Sequence, residues 1–169
     1  MSVLDRLFRR DRPPAEALAR LEPGERATAW GTTEDGQSVV ATVAGLWLPG
    51  REQRLDWHDI LKATWADGAF TIIPAGEVEP GVVVDEAPIR VRLERRGHLP
   101  AEVRTRVTKS VAYSTHQQVP GGGVRVVARR VAGLDGLTWL LRFDDGVDRA
   151  DPQVRAAAAE VLDRVRAQH

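Results

Sequence analysis

The chain has no cysteine, one methionine, one tyrosine and three phenylalanines. Without cysteine it can form neither disulfides nor thiolate metal sites, which suits a reducing cytoplasm. No apolar run approaches the roughly 20 residues that a membrane helix needs. The opening, MSVLDRLFRRDRPP, lacks the apolar centre of a signal peptide. The expectation is a cytoplasmic protein with no transmembrane segment. Lysine is nearly absent as well: Lys62 and Lys109 stand alone, and every other base is arginine. With abundant alanine, that usage points to a GC-rich bacterial genome.

What is present is the material of one ordinary folded domain. At 169 residues the chain can bury a single core. Its net charge is zero, but the charge is polarised. Residues 1–12 carry +2 and residues 13–87 carry −8. Residues 88–130 carry +8, from ten bases and two acids, and the remainder carries −2.

The first 23 residues read as a helical arm. Residues 2–10 can form a short helix, capped by Ser2, with Leu4, Leu7 and Phe8 on one face. Pro13 and Pro14 break it, and a second short helix is expected over 14–21. From Glu25 the period changes to two, and a β domain is expected over 24–169. Strands are expected at 26–33, 38–48, 53–57, 60–65 and 69–73, with Pro74 to Gly81 as a loop and a short strand at 82–84. Glu34-Asp35-Gly36 and Ala66-Asp67-Gly68 mark two of the turns.

The segment 88–95 alternates cleanly, with Ile89, Val91 and Leu93 on one face and Arg90, Arg92 and Glu94 on the other. Residues 99–109 are ambiguous. Pro100 and the spacing of Val103, Val107 and Val111 favour a helix, while the β-branched content favours a strand. The helix is the better reading, followed by a strand over 111–119. Segments 124–131 and 137–143 form the clearest hairpin, with Leu137, Trp139, Leu141 and Phe143 expected on one buried face. Asp151-Pro152 opens an amphipathic helix over 151–167. The fold class is mainly β (α+β).

Residues 24–73 resemble the opening half of bacterial PH-like domains. The likeness lies in Gly24-Glu25 before a strand and an Asp-Gly turn, in the strand end Ala41-Thr42-Val43-Ala44-Gly45-Leu46-Trp47, and in the step Leu55-Trp57-Asp59-Ile60. It implies a bent seven-stranded antiparallel barrel closed by the C-terminal helix. It also implies a binding module, not a catalyst. Lipid-binding members place bases around the first hairpin. This hairpin carries Glu34 and Asp35, so classical phosphoinositide binding is not expected.

Few constellations suggest chemistry. His58, His98, His116 and His169 have no metal-ligand spacing. Ser114-Thr115-His116 lacks the strained turn and oxyanion hole of a nucleophilic site. Asp144, Asp145, Asp148 and Asp151 read as a turn and a helix cap, because Gly146 falls where a calcium loop needs a ligand. Gly121-Gly122-Gly123 precedes a strand and has no phosphate-loop lysine. No cofactor, metal or catalytic residue is expected.

The arginines of 88–130 are the distinctive feature. Arg90, Arg92, Arg104, Arg106, Arg125 and Arg129 are the candidate residues for an anionic partner. Arg90 and Arg92 should share a face with Arg125 and Arg129 if their strands adjoin. The expected partner is a protein, or a second copy of the chain, with nucleic acid as the alternative. Tyr113 is the only aromatic nearby, which speaks against base stacking.

Overall fold

A computed structural model describes residues 12–169. The helix expected over 2–10 lies outside these residues. After helix α1 (Ala15–Leu18) come strands β1 (Ala27–Thr33), β2 (Ser38–Thr42), β3 (Gly45–Trp47) and β4 (Leu55–Asp56). A single 3-10 turn (Trp57–Asp59) leads to β5 (Ile60–Ala66), β6 (Ala69–Glu79), β7 (Val82–Asp85) and β8 (Ile89–Arg95). Helix α2 (Leu99–Ser110) follows, then β9 (Val111–Val119), β10 (Gly122–Arg129), β11 (Thr138–Phe143) and helix α3 (Pro152–Ala167). The protein is mainly β, as its alternating apolar pattern requires.

All eleven strands belong to one sheet, in the order β4-β3-β2-β1-β8-β6-β7-β11-β10-β9, with β5 pairing β6. Every pairing is antiparallel except the single bridge Leu141↔Val82 between β11 and β7. Among the described residues the path is open, with β4 and β9 at its ends. This differs from the closed seven-stranded barrel that the family resemblance implies.

The sheet supports two large hydrophobic cores, with a small third cluster of Ala17, Val40 and Trp47 under α1. The first is built from β1 to β6, β8 and α2, around Leu46, Leu48, Ile60, Ile72 and Leu99. The second is built from β7, β9, β10, β11 and α3, around Val124, Val126, Val154, Ala158 and Val161. The long strand β6 joins them. Its first half pairs with β5 and β8, and its second half with β7. Pro74 sits at the changeover, where its carbonyl accepts from Glu86 N–H at 2.9 Å. There the chain continues as strand, although residues 74–81 were expected to be a loop.

The ambiguous segment is a helix. Leu99 and Val103 are fully buried on the first core, with Val107 packed behind them. That burial outweighs the β propensity of its valines and threonines. The C-terminal helix also forms as expected. Asp151 accepts from Gln153 N–H at 2.8 Å, and Val154, Ala158, Val161 and Val165 are buried on the sheet.

Three expectations require correction. Residues 38–48 do not form one strand: the chain doubles back at Val43 and Ala44, so that β2 pairs with β3. Thr42 Oγ1 accepts from the N–H groups of Ala44 and Gly45, both at 3.2 Å, and holds this turn. A Cβ at Gly45 would lie 2.5 Å from the Leu55 carbonyl oxygen, so only glycine permits β3 to approach β4. The strand expected at 53–57 is cut to two residues by the 3-10 turn. Leu137 is 41% exposed and precedes β11 instead of lying on its buried face.

A polar knot ties the N-terminal segment to the first core. The Glu25 carboxylate accepts from Thr42 Oγ1 at 2.5 Å, from Trp47 Nε1 at 3.2 Å and from Arg54 Nη1 at 3.1 Å. Arg54 also bonds Glu22 at 3.0 Å and Asp56 at 2.7 Å. Burial favours the neutral acid at Glu25, but these hydrogen bonds and the Arg54 charge outweigh it and hold the pKa below its ordinary 4.5. A depressed folded-state pKa adds stability that is complete above the ordinary value and is lost as pH falls through the depressed one. Glu25→Gln should therefore cost about 1–3 kcal/mol at pH 7. In urea titrations at descending pH the gap to the parent should narrow once the pH falls below the ordinary 4.5. A gap that stays constant to pH 2 would contradict this account.

Candidate functional site

The face of β10 turned away from α3 carries Arg125, Val127 and Arg129. In register with them stand Arg142 and Leu140 on β11, and His116 and Ser114 on β9. Arg125 lies directly opposite Arg142, an unfavourable like-charge pair. Asp85 on β7 relieves half of it. Arg142 donates Nε to Oδ1 at 2.6 Å and Nη2 to Oδ2 at 2.8 Å. Among the described residues Arg125 forms no ion pair with a carboxylate, and its Nη1 donates to Ser114 Oγ at 3.4 Å.

This face meets the start of β5 where the two cores adjoin. Between them lies a groove of about 230 Å³, lined by Lys62, Asp85, Ser114, Arg125, Arg129 and Arg142, with Leu61, Ile73 and Val127 as apolar wall. Four cations face one carboxylate.

Arg129 is the unusual member. It is 3% exposed. Nη1 donates to Ser110 Oγ at 2.7 Å, and Nη2 donates to the Ile60 carbonyl at 3.1 Å. Both acceptors are neutral, and Nε has no partner among the described residues. Burial pulls its pKa below the ordinary guanidinium value, and the carboxylate of Asp59 opposes that pull without forming an ion pair. A guanidinium nevertheless stays charged in a protein. The site therefore holds a nearly buried positive charge that forms no ion pair among the described residues.

The other candidate arginines lie elsewhere. Arg90 and Arg92 are exposed on β8, which contributes nothing to the groove. Arg92 donates to the Asp67 carbonyl at 3.0 Å and approaches Glu34 at 3.9 Å. Arg104 borders a separate apolar cleft of about 410 Å³ between α2 and the β5–β6 hairpin, beside Trp65 and Phe70. Arg106 is paired with Glu102 at 2.7 Å. Arg125 and Arg129 do share one face, but Arg129 is buried, so no surface of four free guanidiniums exists. Lys62 and Arg142 fall outside the basic stretch and were not anticipated.

The 3-10 turn brings Asp56, His58 and Asp59 together, with one ligand atom of each within 4.8 Å of the others. Their sequence spacing gave no sign of this. Asp56 is already bonded to Arg54 at 2.7 Å, and burial raises the Asp59 pKa. Both facts weaken the group as a cation site.

Comparison with protein-family models, with curated proteins and with solved structures gives no match.

An uncompensated buried charge is expensive, and an apolar residue of similar length removes the expense. Arg129→Met should therefore unfold at the same or a higher urea concentration than the parent in phosphate-free buffer. A loss of more than about 3 kcal/mol would instead make Arg129 a structural tie, as expected when one partner of a satisfied buried pair is removed.

Proposed function

We propose that this chain is a non-catalytic binding module of the PH-like kind, and that it takes a phosphate or carboxylate group of its partner in the groove around Arg129. One observation carries the reading: a guanidinium 3% exposed borders an open groove and has an unused Nε–H donor. Buried donors without acceptors are rare, and functional sites are where they are tolerated. An anion in the groove would bring a negative charge to the edge of this buried guanidinium. Lys62 and Arg125 flank the position and form no ion pair among the described residues, while Ser114 offers a neutral hydroxyl. Arginine suits the task because its planar fork meets an oxyanion with two hydrogen bonds.

The volume bears on what enters. About 230 Å³ is below the roughly 300–1,000 Å³ of pockets that enclose whole ligands. The groove accommodates an anionic group, with the rest of the partner lying outside.

The test uses inorganic phosphate and citrate as probes. Either should raise the melting temperature saturably, by mass action on the folded state. The Lys62→Gln/Arg125→Gln variant changes two exposed side chains and should fold like the parent but lose most of that shift. Equal shifts in parent and variant would mean a general salt effect and would remove the reading. A single-stranded oligonucleotide serves as a third probe. Binding with a salt slope of many phosphates, unaffected by the double variant, would favour nucleic acid on another surface.

A further inference from the structure

The two ends of the sheet are built differently. At one end β4 has two residues, Leu55–Asp56, beside the ion pairs of Arg54. Such short, charged edges resist pairing with another chain. At the other end β9 has nine residues, Val111–Val119, a span of roughly 30 Å. It contains no Lys, Arg, Asp, Glu, Pro or Gly. Its protection is confined to a bulge at its start, where the register with β10 skips Ala112. Among the described residues β9 pairs with β10 alone. Only its first carbonyl, that of Val111, is engaged from outside that pairing, by Arg130 Nη1 at 3.3 Å.

We propose that β9 is a self-association edge, on which two copies of this chain pair antiparallel about a two-fold axis. The strand is suited to itself. Centred on Thr115, antiparallel pairing sets Ser114 against His116, Tyr113 against Gln117, Ala112 against Gln118 and Val111 against Val119. No charge opposes a like charge in that register, and β-branched and aromatic residues gain cross-strand neighbours. A second copy satisfies the row of edge N–H and C=O groups on both chains at once, which is the economy of an isologous contact. Ser114, His116 and Gln118 are exposed and Tyr113, Thr115 and Gln117 half-buried, so the contact would cover side chains that one copy leaves open. A two-fold axis normal to the sheet would place both Arg125–Arg129 faces on the same side. The inference rests on the strand edge and stands whether or not the groove binds an anion.

Sedimentation equilibrium on the full chain tests it. The parent should approach twice the 18.6 kDa chain mass as concentration rises. His116→Lys/Gln118→Lys places like charges along the paired edges and should weaken association at least tenfold, with an unchanged circular dichroism spectrum; the parent's melting temperature should rise with concentration and the variant's should not. Hydrogen exchange provides the second measurement. Amides within residues 112–118 should gain protection with concentration in the parent and not in the variant. A parent that stays monomeric at millimolar concentration overturns the proposal. So does a dimer that the two lysines leave intact. Edge amides equally protected at every concentration would show that the chain covers this strand itself, and would also overturn it.

Discussion

A guanidinium that leaves water must be solvated by something else. At Arg129 this constraint shapes the junction between the two cores. The residue belongs to β10 in the second core, yet its donors reach Ile60 at the start of β5 and Ser110 at the end of α2, both elements of the first. Ser110 Oγ in turn donates to the Val107 carbonyl at 2.7 Å. The point where α2 turns into β9 is thereby fixed against the sheet. Of the five N–H donors of the guanidinium, one on Nη1 and one on Nη2 meet these acceptors, and the buried Nε has no partner among the described residues. A packed interior does not leave such a donor idle without a reason. The proposed anion in the groove beside it would be such a reason.

The charge pattern makes the same point on a larger scale. The excess of +8 over 88–130 is not a single cationic surface. Folding divides it. Arg106 is neutralised by Glu102 within α2, and Arg92 is drawn toward the Asp67 carbonyl. Arg142, from the acidic C-terminal segment, joins the groove and is held by Asp85. The groove draws Lys62 from β5 and both Arg125 and Arg129 from β10, strands far apart in sequence.

Much of the architecture was legible in the sequence. The alternation of Ile89, Val91 and Leu93, the Asp151-Pro152 helix start and the hairpin after Gly123 each follow from local patterning, and local patterning decides them. The helix over 99–110 was legible from Pro100 and the valine spacing, because Leu99 and Val103 have a core to enter. The turn at Val43 was not. It depends on Thr42 capping two N–H groups and on the approach of β4 to Gly45, neither of which has a signature in an alanine- and valine-rich run. The site was half legible. Arg125 and Arg129 share a face by strand parity. That Arg129 is buried follows only from the packing of β5 and α2 over it, and Lys62 enters through the same contact. Arg142 opposite Arg125 required the register of a hairpin whose loop length the sequence leaves open.

The central claim is that the Arg129 side chain is an unfilled anion donor. Its Nε–H resonance in a nitrogen–proton correlation spectrum reports on that donor directly. On titration with inorganic phosphate the account predicts that this resonance shifts saturably, with the same midpoint as the rise in melting temperature. An Arg129 Nε–H resonance that stays in place while phosphate stabilises the protein would contradict it.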